Sequence, residues 1–88
     1  RNSTYLDTYA WIFYQQGNYS LAKFYIERAI DNMKNDQTPG VILEHYGDIL
    51  WMLGDQDTKA IETWKKAYDS GHQTEELKAK IENKGWNR

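Results

Sequence analysis

The chain has 88 residues, 40% of them apolar and 15% aromatic, enough for one small domain with an ordered core. There is no cysteine, which excludes disulfides and thiolate metal sites and leaves the compartment open. A formal net charge of −2 argues against a general phosphate-binding surface, and no apolar run approaches the length of a membrane span.

The chain begins at Arg1 with neither an initiator methionine nor a signal peptide, so it reads as a piece of a longer protein. Ser3 is placed to cap a first helix that carries Tyr5, Leu6, Tyr9, Ala10, Ile12 and Phe13 on one side, and Gly17 ends it. Leu21, Ala22, Tyr25, Ile26, Ala29, Ile30 and Met33 follow at spacings of three and four, a second helix. The polar stretch KNDQTPG makes a loop. A third helix is expected from about Val41 to Leu53, stopped by Gly54. A fourth carries Ala60, Ile61, Trp64, Ala67 and Tyr68 and ends near Gly71. The fifth, TEELKAKIENK, has a thin stripe of Leu77 and Ile81, with Thr74 as its cap and Glu75 and Glu76 in its first turn. No segment alternates with period two, so no strand is expected. Residues 85–88 are expected to fray.

The first half of the chain returns as the second. Leu6, Tyr9, Ile12 and Gly17 recur 37 residues later as Leu43, Tyr46, Ile49 and Gly54, Ala10 recurs as Gly47, and Tyr14 as Trp51. Beyond the turn the offset is 38, matching Ala22 to Ala60 and Ala29 to Ala67. Such self-similarity predicts two stacked helix-turn-helix units. Gly54 is read as a turn glycine. Gly47 and Ala10 are read as the points where the two helices of each unit cross, facing Ala60 and Ala22.

With these positions in place, the sequence resembles the tetratricopeptide repeat (TPR) family. Leu43, Tyr46, Gly47 and Leu50 fall on that family's first-helix positions, and Ala60 and Trp64 on its second-helix positions. In the first unit the equivalents are Leu6, Tyr9, Ala10, Phe13, Ala22 and Ile26. Leucine replaces the first aromatic in both units, the closing proline is absent from both, and the repeat is longer than the family's period of about 34 residues. The resemblance implies an all-α fold: a right-handed superhelix of two repeats, about 3–36 and 40–71, with a capping helix at about 74–84.

It also implies a concave groove lined by the first helix of each repeat. By position that groove holds Asp7, Trp11, Tyr14 and Gln15 in the first unit. In the second it holds Glu44, His45, Asp48, Trp51 and Met52. Neither of these helices contains lysine or arginine, so an acidic, aromatic surface is expected. Carboxylates there would repel the acidic C-terminal tails that some members of the family clamp. The expected activity is non-enzymatic protein–protein interaction with a basic or apolar peptide segment. Two alternatives stand beside it. The chain could cap a longer solenoid, its groove residues covered by its own polypeptide, or it could self-associate, as a homodimer for instance, through the first repeat. RNA binding ranks last, because it calls for a basic groove.

No phosphate loop, nucleophile elbow or metal-ligand repeat is present, and neither a cofactor nor a catalytic residue is expected. His45 and Asp48, at i and i+3, are the nearest approach to a metal pair, but a surface turn of a repeat helix accounts for them better. His72 is expected to be solvated in a turn. Tyr5, Tyr9, Phe13, Tyr25, Tyr46, Trp64 and Tyr68 are assigned to core or inter-repeat packing.

Overall fold

Five helices form where the apolar spacing places them, and turn residues set most of their ends. A computed structural model describes residues 3–33 and 38–88, with helices α1 (Ser3–Gln15), α2 (Tyr19–Asp31), α3 (Gly40–Leu53), α4 (Asp57–Asp69) and α5 (Glu75–Glu82). Ser3 opens α1, and the cap position before it lies outside the described residues, as do residues 34–37 of the expected loop. Asn18 caps α2 by accepting from the Leu21 N–H at 3.4 Å. Thr74 caps α5, its Oγ1 accepting from the Leu77 N–H at 3.1 Å, with Glu75 and Glu76 in the first turn. Gly17 (φ +81°) and Gly54 (φ +88°) end the first helix of each unit in the left-handed conformation that side chains disfavour. At the first of these, the Asn18 N–H donates to the Phe13 carbonyl at 2.9 Å and the Gly17 N–H to that of Tyr14 at 3.0 Å. Two carbonyls at the end of α1 are thereby satisfied.

Helices pack chiefly in chain order: α1 on α2, α2 on α3, α3 on α4 and α4 on α5, with α1 also touching α3. Among the described residues there is no strand, and the Cα radius of gyration of 12.0 Å is that of a compact chain of this length. The core is centred on Ile26, Ile49, Leu50, Trp64 and Leu77, one or two from each of α2 to α5. Ala10, Ala22, Ala60 and Ala67 join it with their side chains fully buried.

Gly47 does sit at a close crossing of α3 and α4, but Trp64 is the neighbour that forbids a side chain there. A Cβ at position 47 would overlap the Trp64 indole. The small residue thus makes room for a large aromatic, and the packing gained offsets the weak helix propensity of glycine.

Two expectations need correction. Tyr5 and Tyr9 are not packed away: they lie exposed on α1 together with Ile12, although Tyr9 keeps an edge contact with Tyr25. The stripe of α1 is wider than its core contact, so only Leu6 and Ala10 of its six apolar positions are buried. The chain end is also not frayed. Gly85 is buried, and Trp86 sits 5.6 Å from the Trp64 ring and 6.1 Å from that of Trp51, centroid to centroid.

Replacing Gly47 by leucine is expected to overpack the Trp64 contact and to cost about 1–3 kcal/mol of stability. Chemical denaturation measures this directly, and an unchanged midpoint would remove the crossing from the account of the fold.

Candidate functional site

The groove positions of α1 and α3 divide into two groups with different surroundings. The first contains Asp7, Trp11, Tyr14 and His45. His45 Nδ1 lies 3.1 Å from Asp7 Oδ1, and its ring stacks on Trp11 at 4.1 Å between centroids and 20° between planes. Trp11 stacks in turn on Tyr14 at 4.6 Å and 12°. The hydroxyl of Tyr14 is pushed up to about 12 by burial first, then by the negative charge of Asp48 and by Tyr19. Helical geometry builds this row: Asp7, Trp11 and Tyr14 are spaced by four and three, which keeps them on one face of α1. Each is partly buried, as are His45 and Met52, while Gln15 is exposed.

The second group contains Glu44, Asp48 and Trp51, and the chain itself covers it. Lys80, from α5, donates to Glu44 Oε2 at 2.6 Å and to both oxygens of Asp48 at 3.0 Å. His72 Nε2 stands 2.8 Å from Glu44 Oε1. Trp64 Nε1 donates to Asp48 Oδ1 at 3.0 Å. Two carboxylates this close and this buried require a cation, and Lys80 supplies it. Burial acts to raise the Glu44 carboxyl, but the hydrogen bonds and charges of Lys80 and His72 outweigh it and hold the group below its ordinary value. At Asp48 burial prevails, and the group lies above its ordinary value despite Lys80 and Trp64. Burial acts to lower the Lys80 ammonium, but Asp48 and Glu44 together hold it above the ordinary lysine value.

Trp51 is covered by the end of the chain. Its Nε1 donates to the Trp86 carbonyl at 2.9 Å, Gly85 packs against its ring, and the Arg88 guanidinium lies 4.2 Å from its ring centroid. Arg88 is in turn held by Asp57, N–O 3.2 Å.

The expected acidic surface is corrected accordingly. Glu44 and Asp48 share the ammonium of Lys80 on α5, Trp51 is not open, and His72 is a partner of Glu44 rather than a solvated turn residue. His45 and Asp48, the i, i+3 pair, engage different partners, and no cluster of metal-ligating side chains occurs among the described residues. Lys80, Trp86 and Arg88 were not singled out from the sequence. A lysine on α5 reads like any solvent-facing charge, since its partners lie 32 and 36 positions away. The one legible signal was the absence of any basic residue on α3, which left its two carboxylates needing a cation from elsewhere.

No helix among the described residues is long and apolar enough to cross a membrane. Comparison with protein-family models, with curated proteins and with solved structures finds no match to this chain.

Replacing Lys80 by methionine leaves Glu44 and Asp48 facing each other without a cation, and is expected to cost about 3 kcal/mol. Adding Glu44→Gln and Asp48→Asn to that variant should restore part of the loss, a coupling that a double-mutant cycle measures. The pH dependence has a definite sign. Lys80 has its folded value above the unfolded 10.5, so its contribution is complete below that pH and is lost as pH rises through the folded value. Tyr14 and Tyr46 act in the same direction, since each holds its proton more tightly folded than unfolded. Thermal melts should therefore show stability falling above about pH 10, less steeply in the Lys80→Met variant.

Proposed function

We propose that this chain is a non-enzymatic protein-interaction module of the TPR type, and that its contact surface is the inner face of α1 with the adjoining part of α3. The observation that carries this reading is the partly exposed row Tyr14–Trp11–His45, stacked ring on ring and flanked by Asp7. Stacked rings are rigid and amphipathic, so they give up little conformational entropy when a partner covers them. Gln15 and Met52 extend the surface by position. With Glu44 and Asp48 already paired, the surface is more aromatic than acidic. It suits an apolar or aromatic segment, with Asp7, beside His45, offering a carboxylate to a basic residue. The order of helix packing and the matched turns at Gly17 and Gly54 support stacked repeats as the scaffold.

A second reading has its own observation. Residues 72–88 cover α3 with Lys80, His72, Trp86 and Arg88, which suits a segment that closes the end of a repeat stack.

The first reading is tested by titrating the protein with a library of short peptides rich in lysine and aromatic residues while following indole and amide signals. Saturable shifts are expected at Trp11, Tyr14 and His45, reduced in a Trp11→Ala variant of unchanged circular dichroism. A surface silent to the whole library, or binding indifferent to Trp11, would leave the stack-closing reading in its place.

A further inference from the structure

The two units share a sequence pattern but not a degree of burial. On α1, Tyr5, Tyr9 and Ile12 are 65%, 51% and 44% exposed. Their counterparts 37 positions later, Ile42, Tyr46 and Ile49, are 5%, 9% and 0% exposed. Spacings of four and three place each trio on one face of its helix. α2 packs on α3, and its Ile26 shares one core cluster with all three members of the second trio. Tyr46 makes that contact explicit: its hydroxyl donates to Glu27 of α2 at 2.6 Å, and Ile30 and Asp31 line the same hollow. Among the described residues the first trio is left exposed. Its exposed apolar surface runs on through the Tyr9–Tyr25 edge contact, 6.0 Å between centroids, to Phe24, which meets Tyr25 at 5.2 Å and is itself 51% exposed. An exposed patch of four large apolar side chains at this spacing marks a contact surface.

We propose that the Tyr5–Tyr9–Ile12 stripe of α1 docks an amphipathic partner helix built like α2, carrying a glutamate three residues before an aliphatic residue. The internal repeat identifies the occupant. The helix that meets Tyr46 on α3 carries Glu27 and Ile30, one turn apart on one face. On α1, Tyr9 stands where Tyr46 stands, so its hydroxyl would donate to the partner's glutamate, while Tyr5 and Ile12, the counterparts of buried Ile42 and Ile49, would pack on either side. Helix-in-groove docking of this kind reads apolar anchors at helical spacing and gains direction from the single polar contact. The stripe lies on the side of α1 away from Asp7, Trp11 and Tyr14, so the inference rests on the two-unit repeat and not on the inner-face reading.

The probe is a synthetic peptide with the sequence of residues 18–33, added to the isotopically labelled 88-residue chain. Saturable amide shifts are expected at Tyr5, Tyr9 and Ile12. A Glu27→Gln peptide should bind more weakly and a scrambled one not at all. Ile12→Glu in the protein should weaken binding at least about tenfold, because it buries an unpaired charge. Tyr5→Glu, at the most exposed of the three sites, gives the same test if the first variant folds poorly. The proposal is overturned by any of three results: no saturable shift, shifts confined to Trp11 and Tyr14, or shifts at Ile42, Tyr46 and Ile49 that report exchange of the resident α2. It is also overturned if sedimentation without peptide shows a dimer that buries Tyr5 and Tyr9, since a second copy of the chain is then the occupant.

Discussion

A carboxylate buried near the middle of α3 ties three helices together. Asp48 accepts from the Trp64 indole of α4 and from the Lys80 ammonium of α5, and Lys80 also reaches Glu44 one turn back. A buried carboxylate without partners is costly, so the placement of α5 follows from the need to bring a cation to this point. The indole that meets Asp48 is the one that lies against Gly47. One turn of α3 therefore sets how close α4 comes and where α5 lies. The cap at Thr74 and the burial of Leu77 complete the docking of a helix only eight residues long. Alone, such a helix would be marginal in water.

The same economy governs the end of the chain. Trp51 is a large ring on the open side of α3, and residues 85–88 cover it with a glycine, an indole, a backbone carbonyl and a guanidinium. The ion pair with Asp57 then fixes Arg88 to the start of α4. These contacts turn a stretch that reads as a tail into part of the packed surface of α3. They also leave the α1 and α3 positions singled out from the sequence unlike. The α1 half keeps a partly exposed stack of rings around Trp11. The α3 half is closed by the chain's own cation and tail. The contrast between α1 and α3 thus appears on two faces of these helices, the one with Trp11 and Trp51 and the one with Tyr9 and Tyr46. In each case, among the described residues, the α3 positions are the more deeply buried and those of α1 the more exposed.

Much of the fold was legible because the relevant physics is local. Apolar residues at spacings of three and four, a glycine after each first helix and a threonine before α5 act over a turn or two, and all are where they were expected. The candidate site was legible in membership more than in state. Asp7, Trp11, Tyr14 and His45 do come together, as their positions on two adjacent first helices suggested. Glu44 and Asp48 are on the same side but already paired. Composition along α3 showed no lysine or arginine nearby in sequence. It did not show that Lys80 and His72 would arrive from elsewhere, since nothing local distinguishes Lys80 from a lysine on a solvated face.

By itself, then, the sequence determined an all-helical chain of five elements, the internal repeat, the turns and the small residue at position 47, since each depends on backbone conformation or helical period. Only the tertiary structure decided which faces are open. Exposure is a property of what lies opposite, and here the covering groups are far along the chain: Lys80 over Glu44 and Asp48, Trp86 and Arg88 over Trp51, Glu27 beside Tyr46. Two stretches with nearly the same pattern accordingly have different fates among the described residues, one as core and one as surface, because burial depends on what lies opposite and not on the pattern itself.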